Sequence, residues 1–241
     1  MMAMKQVLLH GWGTHPVIWE PLLEFFPGAR ALPLPGYAGS AAAADLARMA
    51  ESIAAQLEED TQLVGWSLGG LVAAHVALAH PEKVSALVLV AATPCFVKRP
   101  DWPHGVDAEV FDQFAASLAE DYAGTIRRFL SLQAQGSSEM RAVLAGLRRR
   151  LLDQARPAAG VLESGLDILQ RTDLRASLPK LDRPLTLIHG TGDKLAPVAA
   201  ARWLAHSLPG TTLHEIEGAG HAPFLSHPRQ VAEMIGQAAH G

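Results

Sequence analysis

Gly65-Trp66-Ser67-Leu68-Gly69 sets a serine between two glycines in the pattern G-x-S-x-G. Gln62-Leu63-Val64, just upstream, reads as a strand ending at Gly65. Leu68 to Ala79, just downstream, reads as an apolar, alanine-rich helix that stops before Pro81. Strand, tight turn and helix are the context in which this motif carries chemistry. The turn strains the serine backbone and lifts the hydroxyl above the sheet. The glycines let strand and helix approach with no Cβ between them. The helix aims its N-terminus where negative charge develops on a reacting carbonyl. A bare Gly-Ser turn is the alternative reading, and the strand and helix on either side argue against it.

Working outward, the same rhythm of strand and helix recurs. Val7-Leu8-Leu9, Val84 to Ala91, Leu185 to His189 and Thr212 to Ile216 read as strands. The run at 84–91 is apolar throughout, as in a strand covered on both faces. Residues 45–58 carry Leu46, Met49, Ile53 and Leu57 at helical spacing, and Arg229 to Ala239 closes the chain as a helix. Alternating strands and helices predict an α/β fold whose mostly parallel sheet is flanked by helices.

Residues 96–179 break the rhythm. Three apolar stripes are expected there, on Val110/Phe111/Phe114/Leu118, on Ile126/Phe129/Leu130 and on Met140/Leu144/Leu147/Leu151. The organisation expected is a core in two parts, 1–95 and 180–241, with residues 96–179 inserted as a helical lid.

Composition bounds the function. The chain has 241 residues, 49% of them hydrophobic and 18% charged, which excludes a disordered chain. The formal net charge of −4 gives no global reason to expect nucleic acid. One cysteine, Cys95, fits a reducing compartment, so a cytoplasmic location is expected. No apolar run approaches a membrane span, and no leader pattern precedes Val7. No membrane association is expected, and a monomer is. No phosphate-binding glycine loop, paired cysteines or H-E-x-x-H spacing occurs, so neither metal nor cofactor is expected.

A serine nucleophile needs a base and an orienting acid, which follow a Ser elbow in the order acid, then His. Asp193 ends His189-Gly190-Thr191-Gly192-Asp193, just past one strand, and His221 lies in Gly218-Ala219-Gly220-His221 after the last strand. Asp173 and Asp182 precede the strand and are weaker candidates. Eleven histidines are present, so position selects His221, not residue type. An oxyanion would need two backbone N–H donors. Leu68 supplies one, and Trp12 in His10-Gly11-Trp12-Gly13 is the candidate for the other.

The chain resembles the α/β-hydrolase superfamily along its whole length. Within it, the chain is similar to the pimeloyl-acyl-carrier-protein methyl ester esterases of biotin synthesis. Val7 to Gly13 and Gly65 to Ala73 carry the general likeness. Thr93-Pro94-Cys95-Phe96, Arg128-Phe129-Leu130-Ser131-Leu132-Gln133, Gly165 to Leu169 and Ala222 to Pro228 carry the more specific one. The resemblance implies a carboxylesterase with Ser67, Asp193 and His221 as triad. It implies that Trp12, Leu68 and Phe129, Leu130, Ser131, Leu132 and Gln133 border the acyl group. It also implies that basic lid residues receive an acidic acyl carrier protein. Arg128 and Arg141 match such positions. Gly124 and Ala145 stand where the family has further basic residues, and Arg148 and Arg149 are the expected substitutes.

The charge pattern points the same way. Residues 124–160 hold seven arginines against Glu139 and Asp153. A basic surface beside a site mouth steers an acidic partner. Two departures stand out: Pro33 replaces a common Asp, and the leading strand or hairpin is short. A broad esterase on free short-chain esters, a lyase or C–C hydrolase on the same fold, and a non-catalytic receptor stay open as alternatives.

Overall fold

A computed structural model describes residues 5–238. Its six strands are β1 (Gln6–Leu9), β2 (Arg30–Leu32), β3 (Thr61–Trp66), β4 (Val84–Val90), β5 (Leu185–Gly190) and β6 (Thr212–Ile216). They form one sheet in the order β2-β1-β3-β4-β5-β6, and every neighbouring pair is parallel. The expected shortening of the leading strand falls partly on residues 1–4, outside the described residues.

Among the helices, α1 (Glu20–Leu23), α2 (Leu46–Ala54) and α3 (Leu68–Ala79) precede β4. Between β4 and β5 lie α4 (Ala108–Glu120), α5 (Tyr122–Ala134), α6 (Met140–Leu151) and α7 (Val161–Arg171). Then α8 (Val198–Ser207), α9 (Pro223–Ser226) and α10 (Pro228–Gln237) close the chain. Every residue of β3 and of β5 is buried, which requires cover on both faces of the sheet. Helix α3 packs on β3 and β4, and α8 on β5 and β6.

Several elements differ from the expectation. Strand β2 has only three residues, Arg-Ala-Leu, too few to show a hydrophobic pattern, yet it pairs along β1. Helix α2 stops at Ala54, before the expected residue 58. Its start is where expected, with the Asp45 carboxylate accepting from the Arg48 N–H at 2.8 Å. Ala239, the expected end of the last helix, lies outside the described residues. The stripe on α6 is Val143, Leu147 and Leu151 with Leu144 half-buried, while Met140 is 47% exposed. Met140 occupies the first helical position of α6, and its side chain is left open to solvent. Between β4 and the first helix after it, the described residues hold only isolated bridges, Val97 with Val106 and Arg99 with Trp102.

Candidate active site

The C-terminal edge of the sheet gathers the candidate residues. Ser67 directly follows β3 with φ 55° and ψ −119°, in the left-handed half of backbone space. A non-glycine residue there is strained and persists only where its surroundings enforce it. The enforcement is tight packing. A Cβ on Gly65 would lie 2.4 Å from the Gly69 carbonyl oxygen, and a Cβ on Gly69 would lie 2.4 Å from that of His10. Only glycine fits either position.

Asp193 and His221 come from the turns after β5 and β6. His221 Nδ1 lies 2.8 Å from Asp193 Oδ2, and both side chains are buried. An ionised carboxylate only accepts, so Nδ1 carries the proton and Nε2 is left with its lone pair. The second oxygen, Asp193 Oδ1, accepts from the N–H groups of Leu195 and Ala196 at 2.8 and 2.9 Å. Burial by itself would raise the Asp193 carboxyl. The charge and hydrogen bond of His221, with His189 behind it, outweigh burial and hold the group below the usual carboxylate value. His189 is buried and donates from Nε2 to the Ala196 carbonyl at 2.6 Å, with Asp193 Oδ2 3.5 Å away. Burial lowers its affinity for a second proton. Trp66 donates its indole N–H to the His221 carbonyl at 2.7 Å.

Ser67 and His221 line one small cavity of about 30 Å³. Its other walls are apolar, with Phe96, Phe111, Phe114 and Phe129 the largest. A second, open groove of about 770 Å³ lies outside it, lined by Arg127, Arg128 and Arg148 among others. Val110 and Phe114 on α4 line both, so they form the partition between cavity and groove.

The run Phe129 to Gln133 lies on one helix, so its side chains point to different sides. Phe129 faces the inner cavity, whereas Ser131 and Leu132 face the outer groove. Leu130 is fully buried, and Gln133 is buried with its Oε1 lacking a partner among the described residues. The Trp12 ring packs edge-on against Phe129 at 4.6 Å, behind the cavity wall. The backbone N–H groups of Trp12 and of Leu68, the first residue of α3, meet no acceptor among the described residues. Of the four arginines singled out, Arg128 and Arg148 line the groove together. Arg141 and Arg149 are exposed on α6 and do not line it. Arg127, one residue before Arg128, lines it and was not singled out. The remaining cavity walls, Val106, Leu166, Leu169 and Leu195, carried no chemical signal; Leu166 and Leu169 sit in the stretch quoted for the resemblance.

The model of the alpha/beta hydrolase family matches residues 6–234. The chain belongs to this family. This hydrolase is 45% identical over 240 residues to a pimeloyl-[acyl-carrier protein] methyl ester esterase of Aromatoleum aromaticum, covering 95% of each chain. It is 44% identical over 229 residues to the protein of that name from Nitrosomonas europaea, covering 93% of this chain and 91% of the other. Among solved structures it resembles an esterase from Exiguobacterium antarcticum, with a TM-score of 0.87, 25% identity, and coverage of 99% and 92%. An enol-lactonase from Burkholderia xenovorans shares the fold at a TM-score of 0.83 and 18% identity, with coverage of 100% and 93%. This hydrolase is an enzyme of an esterase-bearing family. No helix among its described residues is long and apolar enough to cross a membrane.

Proposed function

We propose that this hydrolase cleaves the methyl ester of pimeloyl-acyl-carrier protein in biotin synthesis, releasing methanol and the carrier-bound acid. Ser67, His221 and Asp193 form its triad in this reading. One observation carries it. His221, paired with the buried Asp193, shares an apolar cavity with Ser67, and Val110 and Phe114 line both that cavity and an arginine-lined groove. The name borne by its relatives supports the substrate.

His221 Nε2 takes the Ser67 proton as the hydroxyl oxygen attacks the ester carbonyl. The N–H groups of Trp12 and Leu68 receive the oxyanion. His221 then gives the proton to the departing methoxide, and methanol leaves. Water repeats the sequence on the acyl-enzyme, with His221 again as base. Asp193 keeps the imidazole in the reactive tautomer and stabilises its cation. The acyl chain lies among the aromatic walls, and Arg128 and Arg148 face the acidic carrier across the groove. Arg141 and Arg149 extend that basic surface along α6.

Size adds a requirement. A cavity of about 30 Å³ is far below the several hundred Å³ a bound organic ligand occupies. Binding the acyl chain therefore requires the Val110–Phe114 wall to part and join cavity to groove. The four-helix insert between β4 and β5 acts as the lid in this reading.

The test is paired kinetics on pimeloyl-carrier-protein methyl ester and p-nitrophenyl acetate, with Ser67→Ala as the blank. A much higher kcat/KM on the carrier-bound ester supports the reading. Turnover of the small ester alone replaces it with a general esterase. Turnover surviving in Ser67→Ala removes Ser67 from the chemistry.

A further inference from the structure

We infer that the hydroxyl groups of Tyr37 and Thr14 are positioning groups that aim the Trp12 backbone N–H at the reaction centre. The inference rests on the proposed reading of Trp12 as an oxyanion donor.

A backbone N–H belongs to a rigid plane. The Trp12 N–H shares its plane with the Gly11 carbonyl, which points the opposite way across the trans peptide. Two buried donors hold that carbonyl: His10 Nδ1 at 2.9 Å and Thr14 Oγ1 at 2.8 Å. His10 Nε2 accepts from the Leu34 N–H at 3.1 Å, so the ring proton is on Nδ1 and available to Gly11. Anchoring the carbonyl from behind turns the N–H forward.

The next plane is anchored through its other end. Gly13, at φ +63°, donates its N–H to the Tyr37 hydroxyl at 3.1 Å. Tyr37 is 2% exposed, and its ring stands edge-on to His10 at 4.8 Å. Tyr37 comes from the loop after β2, distant in sequence, so the bond ties the Trp12 loop to a second loop. That second loop is itself held, because the Ala158 N–H donates to the Gly36 carbonyl at 3.0 Å. The Trp12 indole N–H donates to the Leu162 carbonyl on α7 at 2.7 Å, which fixes the side chain as well. Both peptide planes flanking the Trp12 α-carbon are thus clamped by groups that do not line the cavity of Ser67 and His221.

An oxyanion donor acts only when it is aimed before the charge develops. Removing one outright costs about 10²–10³ in rate, so one held less firmly costs less, about tenfold. Ground-state binding, which does not use the oxyanion, is unaffected.

The experiment compares Tyr37→Phe, Thr14→Val and Thr14→Ser on p-nitrophenyl acetate. It measures kcat, KM, thermal midpoint and the affinity of phenylboronic acid, which forms a tetrahedral adduct with the serine. We expect Tyr37→Phe and Thr14→Val to lose about tenfold in kcat and a similar factor in boronate affinity, with KM within twofold. Thr14→Ser keeps the hydroxyl and retains wild-type kcat. Unchanged kcat in Tyr37→Phe and Thr14→Val overturns the inference. So does a joint change of kcat and KM that follows a lowered thermal midpoint. The small ester keeps this test separate from the carrier-bound substrate: if only the carrier-bound ester fails to turn over, the substrate reading falls and this one stands.

Discussion

The indole N–H of Trp66 donates to the main-chain carbonyl of His221 at 2.7 Å, so the residue before the proposed nucleophile holds the proposed base. The two rings also lie 5.7 Å apart, and Phe224 packs edge-on to Trp66 at 5.0 Å. A variable position of the G-x-S-x-G motif thereby ties the loop that carries His221 to the end of β3. Trp66→Phe removes the donor and leaves the buried carbonyl unpaired, at about 1–3 kcal/mol of stability. The expected kinetic result is a fall of about tenfold in kcat with KM held, since small misplacement of a catalytic group costs rate more than binding. Chemical denaturation and steady-state kinetics on the same preparation check it. A variant with wild-type kcat would show that the loop holds His221 without Trp66.

Asp193→Asn separates charge from scaffold. The Oδ1 contacts to Leu195 and Ala196 can be kept by the amide oxygen, so the turn should fold. The amide nitrogen then faces His221 Nδ1 and favours the wrong tautomer. Expected is a loss of about 10⁴-fold in kcat, the size seen when a triad carboxylate is neutralised elsewhere. Loss of the acyl-enzyme burst with unchanged thermal midpoint is the predicted signature. A loss below tenfold would assign the acid role to another residue.

Acid weakens the fold through His10. Burial lowers its pKa from 6.5 to about 3, and the ring is neutral in the native state. Between those two values the unfolded chain binds the extra proton and the native state does not. Stability from this group is therefore complete above pH 6.5 and declines as pH falls toward 3, by at most about 1.4 kcal/mol per pH unit. Two measurements apply: the His10 ring signal by NMR from pH 8 to pH 4, and the urea midpoint over the same range. The ring signal should not titrate, and the midpoint should fall with acid. A His10 midpoint near 6.5 contradicts the buried neutral ring.

The arginine groove predicts a selective effect. Reversing Arg128 and Arg148 together to glutamate should lower kcat/KM on the carrier-bound ester by at least about tenfold, chiefly through association, and remove most of its salt dependence. The loss should be confined to that substrate. Equal losses on p-nitrophenyl acetate would mean that the substitutions disturb the cavity itself. No loss on either would return both side chains to ordinary solvated charges.

Much of the fold was legible because its signals are local. Apolar runs over 84–91 and 185–189 become β4 and β5, and the glycines on either side of Ser67 mark the turn by residue type alone. Strand β2 was not legible, since three residues form a strand only because β1 offers an edge to pair with. Met140 looked like a stripe residue because helical spacing does not tell where a helix emerges from cover; Val143 takes its place.

The candidate site divides the same way. Sequence alone was enough to pick out the candidate residues: a serine in a glycine-bounded turn, then Asp193 and His221 after successive strands, and arginines concentrated over residues 124–160. Those are properties of residue type and short spacing. Tertiary structure alone decided that Trp66 anchors His221, that Tyr37 reaches Gly13, and that Arg127, Arg128 and Arg148 share a groove while Arg141 and Arg149 stand apart. It also decided that Phe129 and Leu132 face opposite sides of one wall. Each of these depends on how distant segments pack, and packing at interior density is set by all the neighbours of a residue at once, not by the residues beside it in the chain.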